Sequence, residues 1–363
     1  MNIRFLDLRV QDPQMKQELL QAVDNVLTHG QIMLGPEVKE LEGKVAEMAK
    51  KKYALGVNSG TDALFLSLRG LGIGQGDEVI TTPLSWISTF NAIAMCGATP
   101  VCVDIDNDLT INVELIEEAI TPKTKAILPV HYTGQMCKME RVMSIADKQD
   151  LFVVEDAAQA FGSYLDGKMA GSFGTVNCYS MNPMKVFNAY GEAGAIVTDD
   201  ELLYQKLRML RYAGTINKEE CQIPSLNGKI DTIQAAMVLV SLKYLPDKIK
   251  RRREIAKIYS EALEGLVVCP KETKDTKMAY YTYTILVEKR DELKQSLEEK
   301  GIETKIQHPI LMPHQKAYQH LPKYHIPNAE SLREQILCIP ANEKITREES
   351  QYVIDSIKTF YGA

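Results

Sequence analysis

AILPVHYTGQMCKMERVMSIADKQDLFVVED, residues 126–156, reads as one strand–helix–strand unit. Its two ends, AILPV (126–130) and LFVVED (151–156), are short and almost continuously apolar. Half-exposed strands alternate polar and apolar residues, so runs like these belong in a sheet covered on both faces. Between them, MERVMSIADKQ (139–149) carries its apolar residues at helical spacing. Strands joined in this way lie parallel, with a right-handed crossover.

The same alternation extends in both directions. DEVIT (77–81) and PVCVDI (100–105) precede the unit, VNCYSM (176–181) and GAIVTD (194–199) follow it, and VELIEEAI (113–120) is patterned as another helix. This order predicts an α/β fold around an open, mostly parallel sheet. The pattern changes near Pro246. A helix beginning at 247 presents Ile255, Ile258, Tyr259, Ala262 and Leu263 as one stripe. YYTYTILVE (280–288) then reads as a strand, DELKQSLEEKG (291–301) as a helix stopping at Gly301, and EESQYVIDSIKTF (348–360) as the closing helix. Thr346 and Glu349 form a capping box for that last helix. A large domain over 1–245 and a smaller C-terminal α/β domain over 246–363 are expected, with the N-terminal segment free to pack on the smaller one.

Composition is that of a globular protein, 45% hydrophobic and 25% charged, with a net charge of −6. KRRRE (250–254) is the densest basic stretch and reads as a solvated helix face, so no nucleic-acid partner is expected. No apolar stretch has the length of a signal-peptide core or a membrane span, which points to a cytoplasmic protein without a membrane partner. The seven cysteines are scattered, without C-x-x-C spacing, and read as reduced core residues rather than disulfides or metal ligands.

Three segments carry chemistry. In NSGTDAL (58–64) a strand passes through a small turn into a helix, so backbone N–H groups and the helix dipole offer a phosphate seat. By itself this is also an ordinary helix cap. Asp156 follows four apolar strand residues and sits at the strand's carboxyl end, where open α/β sheets bind ligands. It either caps a following helix or meets a cation, and a protonated pyridine nitrogen is a suitable one. Lys185, after Asn182-Pro183 and among apolar neighbours, is either a snorkelling loop lysine or a desolvated amine able to form a Schiff base.

Together these segments resemble the sugar-nucleotide aminotransferases of the DegT/DnrJ/EryC1/StrS family, pyridoxal-phosphate (PLP) enzymes of fold type I. The resemblance spans nearly the whole chain, through FLDL (5–8), GPEVKELE (35–42), NSGTDALFLSLRGLGIGQGDEVITTP (58–83), GATPVCVDID (97–106), ITPKTKAILPVHYTGQ (120–135), VVEDAAQAFGS (153–163) and LNGKIDTIQAAM (226–237), to Pro327-Asn328-Ala329-Glu330 and the ILCIP that follows. It implies PLP as cofactor and a large domain built on a seven-stranded, mostly parallel sheet. Lys185 matches the lysine that holds the cofactor and shuttles a proton between substrate carbon and C4′. Asp156 matches the partner of the pyridine nitrogen, and Gln159 the glutamine beside the 3-hydroxyl. Gly60, Thr61 and Ser180 match phosphate contacts, and Trp86 an aromatic ring stacked on the cofactor, where the residue alone reads as core. Asn227 matches an asparagine reaching the phosphate from a neighbouring subunit, which implies a homodimer. His308 and Lys229 are substrate-binding candidates, while His131 and His314 read as structural.

The chain departs from the family pattern in places. Met181 and Met184 flank the Asn-Pro before Lys185 and are expected to reshape the pocket wall. Glu192 and Ala193 stand where Asp and Gly are common, and Lys229 replaces an arginine whose planar fork it cannot reproduce. The implied reaction moves an amino group from L-glutamate to a nucleotide-linked keto-sugar. The stretch GTDALFLSLRGLGIGQGDEV, with Asp62 directly after Thr61, resembles members acting on 3-keto sugars, which implies a 3-keto-6-deoxyhexose, with a 4-keto sugar as the alternative. A related dehydratase is opposed by Lys185, since those members carry histidine there. A catalytically silent scaffold is opposed by the intact Lys185, Asp156, Gln159 and Ser180. A nicotinamide dehydrogenase lacks its G-x-G-x-x-G at an early strand–helix turn.

Overall fold

The computed structural model describes residues 1–363. Seven strands form the central sheet: β1 (Tyr53–Val57), β2 (Glu78–Thr81), β3 (Thr99–Cys102), β4 (Thr124–Leu128), β5 (Phe152–Asp156), β6 (Val176–Ser180) and β7 (Gly194–Thr198). Their spatial order is β1-β7-β6-β5-β4-β2-β3, and β7 alone runs against the rest. β6 and β7 are buried at every residue, as their unbroken apolar runs require.

Helices cover both faces. α2 (Pro36–Ala49) and α5 (Met139–Gln149) set Val38, Leu41, Val142 and Ile145 into one core. α3 (Gly60–Gly70), α4 (Ser88–Met95) and α6 (Glu201–Arg211) set Leu64, Leu68, Ile93 and Leu207 into the other. α1 (Pro13–His29) lies outside them against a long helix, α7 (Thr232–Ala262).

Three expectations from sequence are corrected. The helix expected over 113–120 is instead two short 3₁₀ turns, Val113–Leu115 and Glu117–Ala119. Buried Val113 and Ile116 are three residues apart, the 3₁₀ period, and Pro122 disfavours helical backbone at Thr121. Secondly, no helix begins at 247, because α7 runs unbroken through Pro246. Proline removes one helical hydrogen bond. Burial on both sides of it outweighs that loss: Ala235, Val238 and Leu245 enter the first core, while Ile255, Ala256 and Tyr259 enter a third. Thirdly, KRRRE is not simply a solvated face. Arg252 is buried, pairs with Glu343 at 2.8 Å, and donates to the carbonyls of Tyr280 and Tyr281.

The third core is C-terminal. It packs α7 on the antiparallel pair β8 (Tyr283–Leu286) and β9 (Ile336–Ile339), with α8 (Arg290–Glu299) and α10 (Arg347–Tyr361), while the short α9 (Pro327–Arg333) sets Ala329 and Leu332 into a neighbouring cluster. Thr346 and Glu349 form the capping box of α10. Ile3, from the other end of the chain, joins this core through an N–H···O bond of 2.8 Å to Gly301. All seven cysteines are unpaired, and no helix is long and apolar enough to cross a membrane.

One ion pair locks the sheet edge. Arg211 Nη1 donates to Glu42 Oε1 at 2.6 Å and to Gly56 O at 2.8 Å, while Glu42 Oε1 also accepts the Gly56 N–H. Removing one partner strands a largely buried charge. Glu42→Ala is therefore expected to lose about 2–3 kcal/mol in urea unfolding, and Glu42→Gln, which keeps the Gly56 contact, measurably less.

Candidate active site

The carboxyl ends of β1, β5 and β6 and the loop after β2 open onto a cavity of about 640 Å³. This is where open α/β sheets bind ligands. A larger groove of about 1030 Å³ runs along the outer face of α7 near Lys250 and Glu272, but it shares no residue with this cavity.

Gly60 and Thr61 open α3, and Ser59 caps it by accepting the Asp62 N–H at 3.0 Å. The first amides of a helix are unpaired and partly positive, which suits a phosphate. Glycine is needed here on steric grounds, because a Cβ on Gly60 would lie 2.7 Å from the Cβ of Ser180. That close approach places Ser180, the last residue of β6, beside the helix start.

Asp156 ends β5 and is 4% exposed. One carboxylate oxygen accepts the Ala158 N–H at 3.1 Å and the other accepts Thr89 Oγ1–H at 3.2 Å. Burial pushes the carboxyl above its usual range, and the Ala158 amide, Lys185 and Thr89 offset only part of that. No helix follows β5, so Asp156 is not a helix cap. Two neutral donors leave a buried carboxylate short of a cation. The pyridine nitrogen of PLP, with its phosphate at Gly60 and Ser180, fits this arrangement.

Lys185 is aimed by a local turn. Asn182 O accepts the Lys185 N–H at 2.8 Å, and Asn182 Oδ1 accepts the Met184 N–H at 3.1 Å. Pro183 presets the backbone angle that such a turn needs at its second residue. The lysine does not snorkel to solvent. Its side chain is half-buried, lines the cavity, and places Nζ 4.3 Å from the ring centre of Tyr281.

Gln159 is buried at the cavity and accepts the Thr133 N–H at 2.9 Å. Trp86 is no core residue, being 60% exposed on the cavity wall, with its ring 5.9 Å from that of His308. Burial, with Lys185 and Lys305 nearby, pushes His308 down to about 3, so its ring is neutral. Of the two methionines, Met184 lines the cavity, whereas Met181 is wholly buried in the core and forms no wall.

Asn227 and Lys229 lie elsewhere. Neither lines the cavity; they contact each other, and Lys229 Nζ sits 4.1 Å from the Tyr212 ring centre. His131 is structural: fully buried, 2.7 Å from Glu155, with Nδ1 accepting the Cys137 N–H. His314 faces Glu330 at the surface. Thr89, Lys305, Gln307 and Tyr281 also line the cavity and were not singled out from sequence, whereas Glu192, noted there only as a departure from the family pattern, lines it too. Glu192 accepts a bond from Asn182 at 2.7 Å, and its departure from the family pattern was the one available signal. The others arrive from distant segments and carry no local motif.

Fold and site together define an aminotransferase of the PLP-dependent type. The chain belongs to the DegT/DnrJ/EryC1/StrS aminotransferase family, whose model matches residues 13–358. It is 37% identical to the dTDP-3-amino-3,4,6-trideoxy-alpha-D-glucose transaminase of Streptomyces venezuelae, covering 98% of this chain and 95% of that one. Identity is 38% to the dTDP-3-amino-3,6-dideoxy-alpha-D-galactopyranose transaminase of Aneurinibacillus thermoaerophilus and also 38% to a pleiotropic regulatory protein of Geobacillus stearothermophilus, each over 99% of both chains. Among solved structures, S. venezuelae DesV in complex with a ketimine intermediate superposes with a TM-score of 0.96 at 37% identity, covering 100% of this chain and 99% of that one. The Bacillus subtilis protein ntda with bound cofactor PMP gives 0.94 at 31% identity, covering 100% of this chain and 86% of that one.

The under-satisfied Asp156 has a consequence for stability. A carboxyl whose folded value is raised holds its proton more tightly when folded, so its charge costs stability once pH exceeds the usual aspartate range. Asp156→Asn is expected to make the cofactor-free protein more stable than wild type at pH 7. The difference should shrink toward zero as pH falls below about 4, read by thermal unfolding across pH. Turnover should fall by several orders of magnitude in the same variant.

Proposed function

We propose that the enzyme transfers an amino group from L-glutamate to carbon 3 of a nucleotide-linked 3-keto-6-deoxyhexose. Lys185 is the catalytic residue in this reading, with its Nζ removing and returning the proton at the reacting carbon. Bound PLP supplies an electron sink for the pair left behind. Asp156 would hold the pyridine nitrogen protonated, Gln159 would face the 3-hydroxyl, Trp86 would provide a flat wall, and Gly60, Thr61 and Ser180 would hold the phosphate. Glutamate as donor rests on the family resemblance.

The observation that carries the sugar reading is on the wall facing Lys185. His308 and Gln307 line it, and their Nδ1 and Oε1 atoms are enclosed within that wall without any hydrogen-bond partner. Orphaned polar atoms enclosed in a cavity wall favour a hydroxyl-bearing ligand toward which the imidazole and amide can turn, and one that lacks those hydroxyls leaves them unpaired. The 3-amino products named for two relatives support carbon 3 over carbon 4. The relative named as a regulatory protein keeps a silent scaffold as the alternative. Intact Lys185 and Asp156, both set in the cavity, oppose it.

Two measurements test this. Borohydride treatment of the yellow holoenzyme should fix the cofactor on the peptide holding Lys185, and a label on any other lysine removes that assignment. Supplied with glutamate and with 3-keto and 4-keto nucleotide sugars made in place, the enzyme should aminate carbon 3, as read by NMR. Amination at carbon 4 alone overturns the regiochemistry and spares the family assignment.

A homodimer with shared sites is part of this reading. Asn227 and Lys229 sit outside their own cavity, next to the segment bearing exposed Ile32 and Met33, where Thr232 N–H bonds Ile32 O at 3.0 Å. Such a patch suits a second copy that receives Asn227 at its phosphate and Lys229 at its substrate. Dilution to monomer should therefore release cofactor and activity together, followed by ultracentrifugation and absorbance.

A further inference from the structure

Tyr281 is held in place by an unusual amount of structure for a residue in a simple strand approach. Tyr281 is 6% exposed, and the Lys185 Nζ lies over the ring face at 4.3 Å from the centre. The preceding residue, Tyr280, has φ 51°. A bulky side chain adopts that left-handed backbone only under external constraint.

The constraint is the buried Arg252. Its Nη1 donates to both the Tyr280 and Tyr281 carbonyls at 3.1 Å, so the two carbonyls converge on one guanidinium. Glu343 in turn holds Arg252, accepting from Nε at 3.0 Å. From the other side Gly134 makes room. A Cβ there would lie 3.4 Å from both the Tyr280 and Tyr281 amide nitrogens, and Gly134 already has φ 104°. Ser163 Oγ ties the two loops together, accepting the Ala279 N–H at 2.9 Å and donating to Gly134 O at 2.8 Å.

We propose that the Tyr281 ring face is the berth of the Lys185 amine, and that the Arg252–Glu343 pair acts as a positioning clamp that keeps this berth in register. This rests on the reading of Lys185 as the reactive lysine. An aromatic face stabilises an ammonium electrostatically by about 0.5–1 kcal/mol at partly exposed sites. The berth therefore holds the amine against the ring and fixes its direction. Tyr281 thereby tunes how readily the lysine is presented as a nucleophile and proton carrier. Arg252 and Glu343 reach the chemistry only through the Tyr280–Tyr281 backbone.

The test uses the full-length protein stripped of cofactor. A lysine-selective acylating reagent is applied over a range of pH, and the labelling rate of the Lys185 peptide is read by mass spectrometry. Near neutral pH, Tyr281→Leu should label about two- to fivefold faster than wild type, and Tyr281→Phe, which keeps the ring face, at the wild-type rate. The variants should converge at high pH, where every amine is neutral. Arg252→Gln should accelerate labelling as Tyr281→Leu does, and Glu343→Gln should do so to a smaller degree while conserving shape should Arg252→Gln fail to fold. Equal rates for Tyr281→Leu and wild type overturn the berth. An acceleration that persists at high pH also overturns it, because that is an effect of access. Wild-type rates in folded Arg252→Gln and Glu343→Gln overturn the clamp. Failure of the lysine assignment itself shows separately, as a borohydride label away from Lys185.

Discussion

Two carboxylates stand next to each other in β5, and only one of them is satisfied by the chain. Glu155 points to one face of the sheet and collects His131 together with the N–H groups of Gly171, Phe173 and Gly174. Burial opposes its charge, yet those partners hold it below the usual carboxylate range. Asp156 points to the other face with one amide and one hydroxyl, and burial wins. Alternation along a strand makes this difference possible within a single peptide step. Glu155 is a closed structural knot that fixes the loop over 171–174. Asp156 is an open valence facing a cavity, and much of the site is arranged so that a cation can complete it.

That arrangement explains which parts of the molecule could be read from sequence. The strands are short and buried on both faces, so their apolar runs have no competing explanation, and six of the seven share one direction. The turn that aims Lys185 is equally local, because Asn182 and Pro183 encode it within four residues. Thr346 and Glu349 cap α10 for the same reason. By contrast, the phosphate seat is only half local. The Ser59–Gly60 helix start is visible in the chain, but the reason for glycine is Ser180, which lies more than a hundred residues away.

The basic stretch on α7 shows where such reading stops. Arg251, Arg252 and Arg253 are consecutive, so each leaves the helix about 100° from the last. Arg252 turns inward to Glu343 and the Tyr280 and Tyr281 carbonyls, while Arg253 reaches Glu272 and Arg251 reaches Ile345 O. Nothing in KRRRE itself distinguishes the buried member. The decision belongs to partners that arrive later in the chain, and composition sees only four positive charges. Continuity of α7 through Pro246 has the same origin, since cores on either side of the proline settle what local propensity leaves undecided.

Three of the twelve non-glycine residues with positive φ border the cavity. Thr133, Tyr280 and His308 all have positive φ, at 58°, 51° and 53°. Each adjoins or forms a wall of the site, and each is held by a contact from another segment. Gln159 accepts the Thr133 amide, Arg252 gathers the Tyr280 carbonyl, and the Tyr132 hydroxyl donates to Gln307 O just before His308. Unstrained loops would relax away from a cavity that contains a buried carboxylate and orphaned imidazole and amide atoms. Holding them costs stability, and that cost makes sense only if a ligand recovers it on binding. The strain, the unsatisfied Asp156 and the unpartnered His308 Nδ1 thus fall in one place, the walls of a cavity that the protein alone leaves incomplete.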